Sequence, residues 1–210
     1  MNKALVLGCG CLGIIALALV LFGGAIAGGY NSLVQSSTAV DAAWAQVQTQ
    51  YQRRADLIPN LVRTVEGAAN FEKSTLTDVV NARANATKVT IDASKAPTDP
   101  EKLREFEQAQ NALTGTLGRL LAVSERYPEL KANNNFRDLQ AQIEGTENRI
   151  AVARRDFNNT VQRFNAQVRS FPTVIYAAWF GFLPKPYFQS VAGAESAPTV
   201  NFPSFGPSPK

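Results

Sequence analysis

The chain has 210 residues, a formal net charge of +4 and no histidine. That length allows one domain with appendages, and the missing histidine removes both the usual general base near neutral pH and the commonest metal ligand. Its Lys and Arg residues are spread along the chain without a basic stripe, which excludes nucleic acid as a partner. Both cysteines, Cys9 and Cys11, lie in an apolar run and suggest neither a disulfide framework nor a zinc site.

After Lys3 no charge appears until Asp41, and Ala4 to Ala27 is almost wholly apolar. Such a run is long enough for a membrane-spanning helix, which needs about 20 residues. The competing reading is a secretory signal peptide, whose apolar core is shorter, roughly 7–15 residues, with Ala25-Ile26-Ala27 as the cleavage site. A retained anchor over residues 1–29 is the expectation. A lipid-modified Cys9 fails because almost no apolar stretch precedes it. Gly8-Cys-Gly-Cys-Leu-Gly13 matches the dinucleotide fingerprint by letter only, since no strand can precede it. Gly24-x-x-x-Gly28 offers a small-residue face through which two anchors would pair as a homo-oligomer. With Lys3 on one side and no further Lys or Arg until Arg53, the positive-inside rule puts the N-terminus in the cytoplasm and the rest outside.

From Asn31 to about Ala69, apolar residues recur every seven positions: Leu33, Val40, Val47 and Leu61, with Trp44, Tyr51, Ile58 and Val65 offset from them. This predicts one long helix bent at Pro59, whose ring clashes with the preceding turn. Arg54 falls on the first series, where an apolar residue is asked for. Either it snorkels to the surface, or a second helix supplies a partner. Gly67 as a stop and Asn70 or Ser74 as a cap predict a turn near Gly67–Ser74 and a second helix to about Ile91, the alternative being a single uninterrupted helix. Ser94 to Pro100 reads as a loop, with Asp99-Pro100 as a cap and first-turn signal. A third helix carries Leu103, Leu117 and Phe106, Leu113, Leu120, Tyr127, and Pro128 is expected to end it.

Following Asn133-Asn-Asn135, the residues Phe136, Ile143, Ile150, Phe157, Phe164 and Phe171 repeat every seven, marking a fourth helix. The first and fourth helices are long, about 40 residues or roughly 60 Å, and the second and third about 25 residues. Lengths of this kind suit an up-and-down antiparallel four-helix bundle over residues 30–171. The expected fold is therefore all-α, a transmembrane helix followed by that bundle. With Asn31 level with Phe171, Arg54 faces Glu147 and Asn148, Arg53 reaches solvent or Glu144, and Asp56 pairs with Asn60 beside the carbonyl that Pro59 leaves free. Residues 172–189 are rich in aromatics and either meet the membrane or cap the bundle, Tyr176, Trp179 and Tyr187 suiting an interface. Residues 190–210, rich in Ser, Pro, Ala and Gly, read as disordered.

Tyr30-Asn-Ser-Leu-Val34, Trp44, Arg53-Arg-Ala-Asp-Leu-Ile-Pro-Asn-Leu-Val62, Ala82-Arg83, Glu147-Asn-Arg-Ile-Ala-Val-Ala-Arg154, Phe157-Asn158, Phe164-Asn165 and Phe171-Pro172 together resemble the LemA family. The resemblance covers Ala4 to about Phe188. It implies a bacterial protein with one N-terminal transmembrane helix and an all-α bundle, and no established enzymatic activity or ligand. Phe71-Glu72 departs from the His-Glu that such sequences often carry, which leaves little room for a histidine-based site.

No hydroxyl has a histidine to activate it and no Ser-x-x-Lys pairing occurs. Glu144 and Glu147 share a helix face among Arg149, Arg154 and Arg155, the ordinary pattern of paired surface charges, with a carboxylate metal site as the lesser reading. Asn158, Asn165 and Asp41 either line a polar layer or bind a partner's backbone. The expectation is a non-enzymatic interaction or scaffold module of the cell envelope, without cofactor, whose partners are the lipid bilayer and envelope proteins. The alternative is a sensor or enzyme using the polar layer around Arg54, Asp56 and Asn60.

Overall fold

The computed structural model describes residues 3–67, 71–89 and 91–189, with side chains from residue 16 onward, residue 18 excepted. The first half of the expected anchor, with Cys9, Cys11 and the Gly8–Gly13 stretch, lies outside the residues whose side chains are described, and Asn70 and the expected tail over 190–210 lie outside the described residues altogether. Among the described residues there is no strand, and no helix is long and apolar enough to cross a membrane.

The helices are α1 (Lys3–Glu66), α2 (Lys73–Lys88), α3 (Pro100–Ser124), α4 (Pro128–Ala132), α5 (Asn134–Arg169) and α6 (Thr173–Tyr176). The all-α expectation holds. Instead of a separate anchor and bundle helix, α1 is one helix of 64 residues. The glycine pairs at 23–24 and 28–29 do not break it, each glycine costing a helix only about 1 kcal/mol relative to alanine. α1 stops at Glu66 and α2 begins at Lys73, so the turn falls where Gly67 and Ser74 predict it. α2 is shorter than expected, 16 residues, because Val89 already leaves the helical conformation.

Asp99 caps α3 by accepting a hydrogen bond from the Glu101 amide at 2.9 Å, with Pro100 in the first turn. Pro128 does not end α3, which stops at Ser124; it opens the short α4, where its missing N–H costs nothing. Tyr127 therefore lies between helices, its ring 4.9 Å from that of Phe71. Asn133 caps α5 by accepting from the amides of Asn135 and Phe136. The seven-residue series of α5 is buried from Phe136 to Phe164, but Phe171 is 81% exposed. The helix ends at Arg169, so the period no longer governs where Phe171 points.

α1 runs antiparallel to α5: Ser36 donates to Gln167 near one end, and Arg54 meets Glu147 further along. α2 runs antiparallel to α3, with Gln110 bonded to the Ala86 carbonyl and Arg119 beside Asp78. Two apolar clusters fill the space between them. One gathers Trp44, Tyr51, Phe106, Ile150, Phe157 and Phe164; the other gathers Ile58, Leu61, Leu113, Leu120, Phe136 and Ile143. Each cluster draws on α1, α3 and α5. Phe71, whose pair with Glu72 departs from the pattern of the sequences it resembles, is buried in the second cluster.

Candidate functional site

On each shared helix the two clusters break at one level: between Tyr51 and Ile58, between Phe106 and Leu113, and between Ile150 and Ile143. Arg54 occupies that level and is only 1% exposed. Its Nη1 donates to Glu147 Oε1 at 2.6 Å and to Thr114 Oγ1 at 2.7 Å. Its Nη2 donates to Gln110 Oε1 at 2.5 Å. Gln110 Nε2 passes the network on to the Ala86 carbonyl at 3.2 Å. One guanidinium thus ties α1 to α3 and α5, and through Gln110 to α2. A buried charge is tolerated when it is paired and its donors are used. Arg54 meets most of that condition, with Nε alone making no hydrogen bond among the described residues. The guanidinium also sits 5.2 Å from the centre of the Tyr51 ring.

A second ion pair lies beside this layer, Arg154 to Glu107 at 2.5 Å, with both side chains mostly buried. Burial pushes the Glu107 carboxyl above its ordinary range, opposed by Arg154. Burial likewise raises the Tyr51 hydroxyl, opposed by Arg154 and Arg54.

Arg154 also begins a ladder along α5. It donates to the Gln189 carbonyl at 3.1 Å and lies 4.5 Å over the Phe188 ring. Asn158 donates to the Phe188 carbonyl and accepts from the Phe188 amide, both at 2.9 Å. Asn165 does the same with Lys185, both at 2.8 Å. Two asparagines seven residues apart on a helix are separated by about 10.5 Å. Three residues of extended chain span about 9–10 Å. A heptad pair therefore reads the backbone of every third residue in a strap laid antiparallel to α5. Lys185 is anchored further by Asp41, which takes its ammonium at 2.8 Å and the Ala96 amide at 2.9 Å. The backbone that Asn158, Asn165 and Asp41 bind is the chain's own.

The remaining expected residues are placed differently. Arg53 and Asn148 are exposed. Asp56 is also exposed and accepts from Gln52 at 2.8 Å, so the expected pair with Asn60 does not form. Asn60 is exposed, and its backbone carbonyl takes the Thr64 hydroxyl. Arg54, Asp56 and Asn60 do not converge, because one faces the core and two face solvent. Pro59 does free the Ala55 carbonyl, but the group that takes it is Arg83 on α2, with Nε at 2.9 Å. Glu144 accepts from Gln140 rather than from Arg53. Gln110, Thr114, Glu107 and Lys185 were not singled out from the sequence, and Arg83 stood there only within the family resemblance. Gln110 carries a legible signal: it lies midway between Leu103 and Leu117 on their seven-residue series, as Arg54 does on its own.

Among the described residues no group of His, Cys, Asp and Glu is placed to hold a metal ion. A groove of about 420 Å³ runs between α1 and α5, lined by residues that include Ala43, Gln46, Asn148, Val152 and Ala153, and no paired nucleophile and base face it.

The chain is similar to magnetosome protein MamQ 2 of Paramagnetospirillum magneticum, 25% identical over 195 residues, which covers 84% of this chain and 70% of that protein. To magnetosome protein MamQ of Magnetospirillum gryphiswaldense it is 26% identical over 196 residues, covering 84% and 71%. To protein LemA of Metamycoplasma hominis it is 24% identical over 143 residues, covering 68% and 61%. The model of the LemA family matches residues 43–202, a span that holds the Arg54 layer, the asparagine ladder and the strap, and the chain belongs to the LemA family.

Proposed function

We propose that this protein is a membrane-anchored helical bundle of the bacterial cell envelope that serves as an interaction or scaffold module rather than as an enzyme. The observation that carries this reading is the continuity of α1 from Lys3 to Glu66. Its early apolar residues Leu17, Leu19, Val20, Leu21 and Phe22 face outward, whereas the apolar repeat from Leu33 to Val65 is buried against other helices. One rod links an apolar surface that needs a non-aqueous neighbour to a packed core. The helices are read as an up-and-down four-helix bundle standing on that anchor, with the N-terminus in the cytoplasm because Lys3 precedes the apolar run. The non-enzymatic part is supported by the Arg54 layer, whose Nη donors hold α3 and α5 rather than an open cleft. Relatives named for the magnetosome support a role in a cellular assembly.

Alkaline phosphatase fused after Gln189 is expected to be active, and the chain to stay in the membrane fraction after an alkaline wash. An inactive fusion, with a fluorescent green protein folding there instead, reverses the orientation. A mature chain starting at Gly28 by mass spectrometry replaces the anchor with a cleaved signal. Crosslinking in intact cells from exposed Arg53 or Asn148, followed by identification of the captured proteins, tests the scaffold role; a bundle that captures nothing from either face speaks against it.

A further inference from the structure

Residues 170–184 carry no charge and present a row of large apolar side chains to solvent: Phe171, Val174, Ile175, Trp179, Phe180 and Leu183, with Trp179 83% exposed. The segment is nevertheless held firmly. Thr173, Tyr176 and Ala177 are buried. The Tyr176 hydroxyl lies so close to Gly29 that a Cβ there would sit 1.9 Å from it. The rings of Phe180 and Phe182 pack edge-on against Tyr30 at 5.1 and 5.8 Å. Beyond it, the asparagine ladder and Asp41 fasten Lys185 and Phe188 to the helices. An apolar loop tied at both ends and displayed outward is built to meet something.

Its position identifies what. The loop touches α1 at Gly29 and Tyr30, two and three residues beyond the end of the apolar run at Ala27, about 3–4.5 Å along the axis. The headgroup zone on each side of a bilayer is roughly 5–8 Å deep. We propose that residues 171–183 form a second membrane contact, an aromatic wedge seated in the headgroup region of the bilayer that the start of α1 crosses, fixing the orientation of the helices above it. The proposal rests on the anchor reading. A lipid surface is favoured over a protein partner because the loop packs on α1 at Gly29, seven residues along the same helix from the exposed apolar side chains of Leu19, Val20, Leu21 and Phe22. The patch also offers the amphipathic ring of Trp179, of the kind that interfaces select, with no ionic group of its own. Arg169, exposed at the end of α5, stands beside it to meet phosphate.

The two tryptophans make the test direct, since Trp44 is fully buried and Trp179 almost fully exposed. The full chain is reconstituted in phosphatidylcholine–phosphatidylglycerol vesicles with or without lipids brominated near the top of the acyl chain, beside a Trp179→Phe variant. Trp179 emission, taken as parent minus variant, is expected to shift to the blue and lose most of its intensity to brominated lipid while resisting aqueous acrylamide. If the chain floats with the vesicles but Trp179 emission is quenched by acrylamide and untouched by bromine, the wedge is wrong and the anchor stands. If the chain does not float at all, both fall.

Discussion

Arg54 occupies a position where its helix asks for an apolar residue, and it is tied to two other helices by hydrogen bonds to Glu147, Thr114 and Gln110, and to α2 through Gln110. Replacing it by alanine leaves Gln110 and Glu147 without their donor. The expected loss is ~3–5 kcal/mol, within the range for breaking a buried pair. For a chain of this size that corresponds to a melting temperature lower by roughly 10 °C. Arg54→Leu with Glu147→Leu should recover part of the loss but not all, because Gln110 still needs a partner. A double variant no better than Arg54→Ala would mean that the hydrogen bonds to Gln110 and Thr114, not the ion pair, hold the layer. Glu107 behaves differently. Burial outweighs Arg154 and raises its carboxyl, so the folded state keeps the proton at pH values where the unfolded chain has released it. Stability tied to this group is then lost as pH rises through the window above the ordinary carboxylate range. Glu107→Gln should gain on the parent as pH rises from mildly acidic to neutral in a series of urea melts; a gap that closes instead would show that Arg154 outweighs burial.

At the scale of elements, the bend at Pro59 and the docking of α2 are one feature. Proline cannot donate to the Ala55 carbonyl, and Arg83 does so from α2. Arg83→Ala is expected to cost ~1 kcal/mol in the parent, a value at the low end for a charged hydrogen bond because Arg83 is half-exposed. In a Pro59→Ala background the restored amide serves the carbonyl, and the cost should fall toward zero. Equal costs in both backgrounds would disconnect the two residues. The strap can be tested in the same way. Asn165→Ala should expose the Lys185 amide to hydrogen exchange while the amides of α5 stay protected, since one side chain supplies both bonds to that residue's backbone. How legible these elements were depends on periodicity. Leu33 to Val65 and Phe136 to Phe164 repeat every seven residues and are buried as the repeat demands. Phe171 keeps the repeat but lies past the helix end, and Pro128 gives the same local signal whether it closes one helix or opens the next. The strap has no periodicity, so only the aromatic composition of residues 172–189 and the polar residues Asp41, Asn158 and Asn165 pointed to it. That the backbone they bind is this chain's own was fixed by tertiary contact alone.

In the molecule as a whole, the Arg54 layer could divide the core into two independently melting halves, or register the helices that run through both. The antiparallel pairing of α1 with α5 was readable from the two long apolar repeats, and that register put Glu147 at the height of the seam charge Arg54. The roles of α2 and α3 were not, because Gln110 is uncharged and its cost on an apolar series is smaller. Continuity of the helices decides how the core unfolds. α1, α3 and α5 each pass from one cluster to the other without interruption. Opening either half would leave long, partly unpacked helices whose own stability in water is marginal. Phe157→Ala in the first cluster is expected to cost ~3–5 kcal/mol and Leu120→Ala in the second ~2–5 kcal/mol. The two sites lie in different clusters and share no hydrogen-bonding partner, so the losses should add within about 0.5 kcal/mol. Each variant should still melt in one transition, with helix content and Trp44 fluorescence falling together. Under the divided alternative, Leu120→Ala would lower the helix signal well before Trp44, which sits only in the first cluster, reports any change. Two separated transitions in that variant would make the Arg54 layer a boundary rather than a tie.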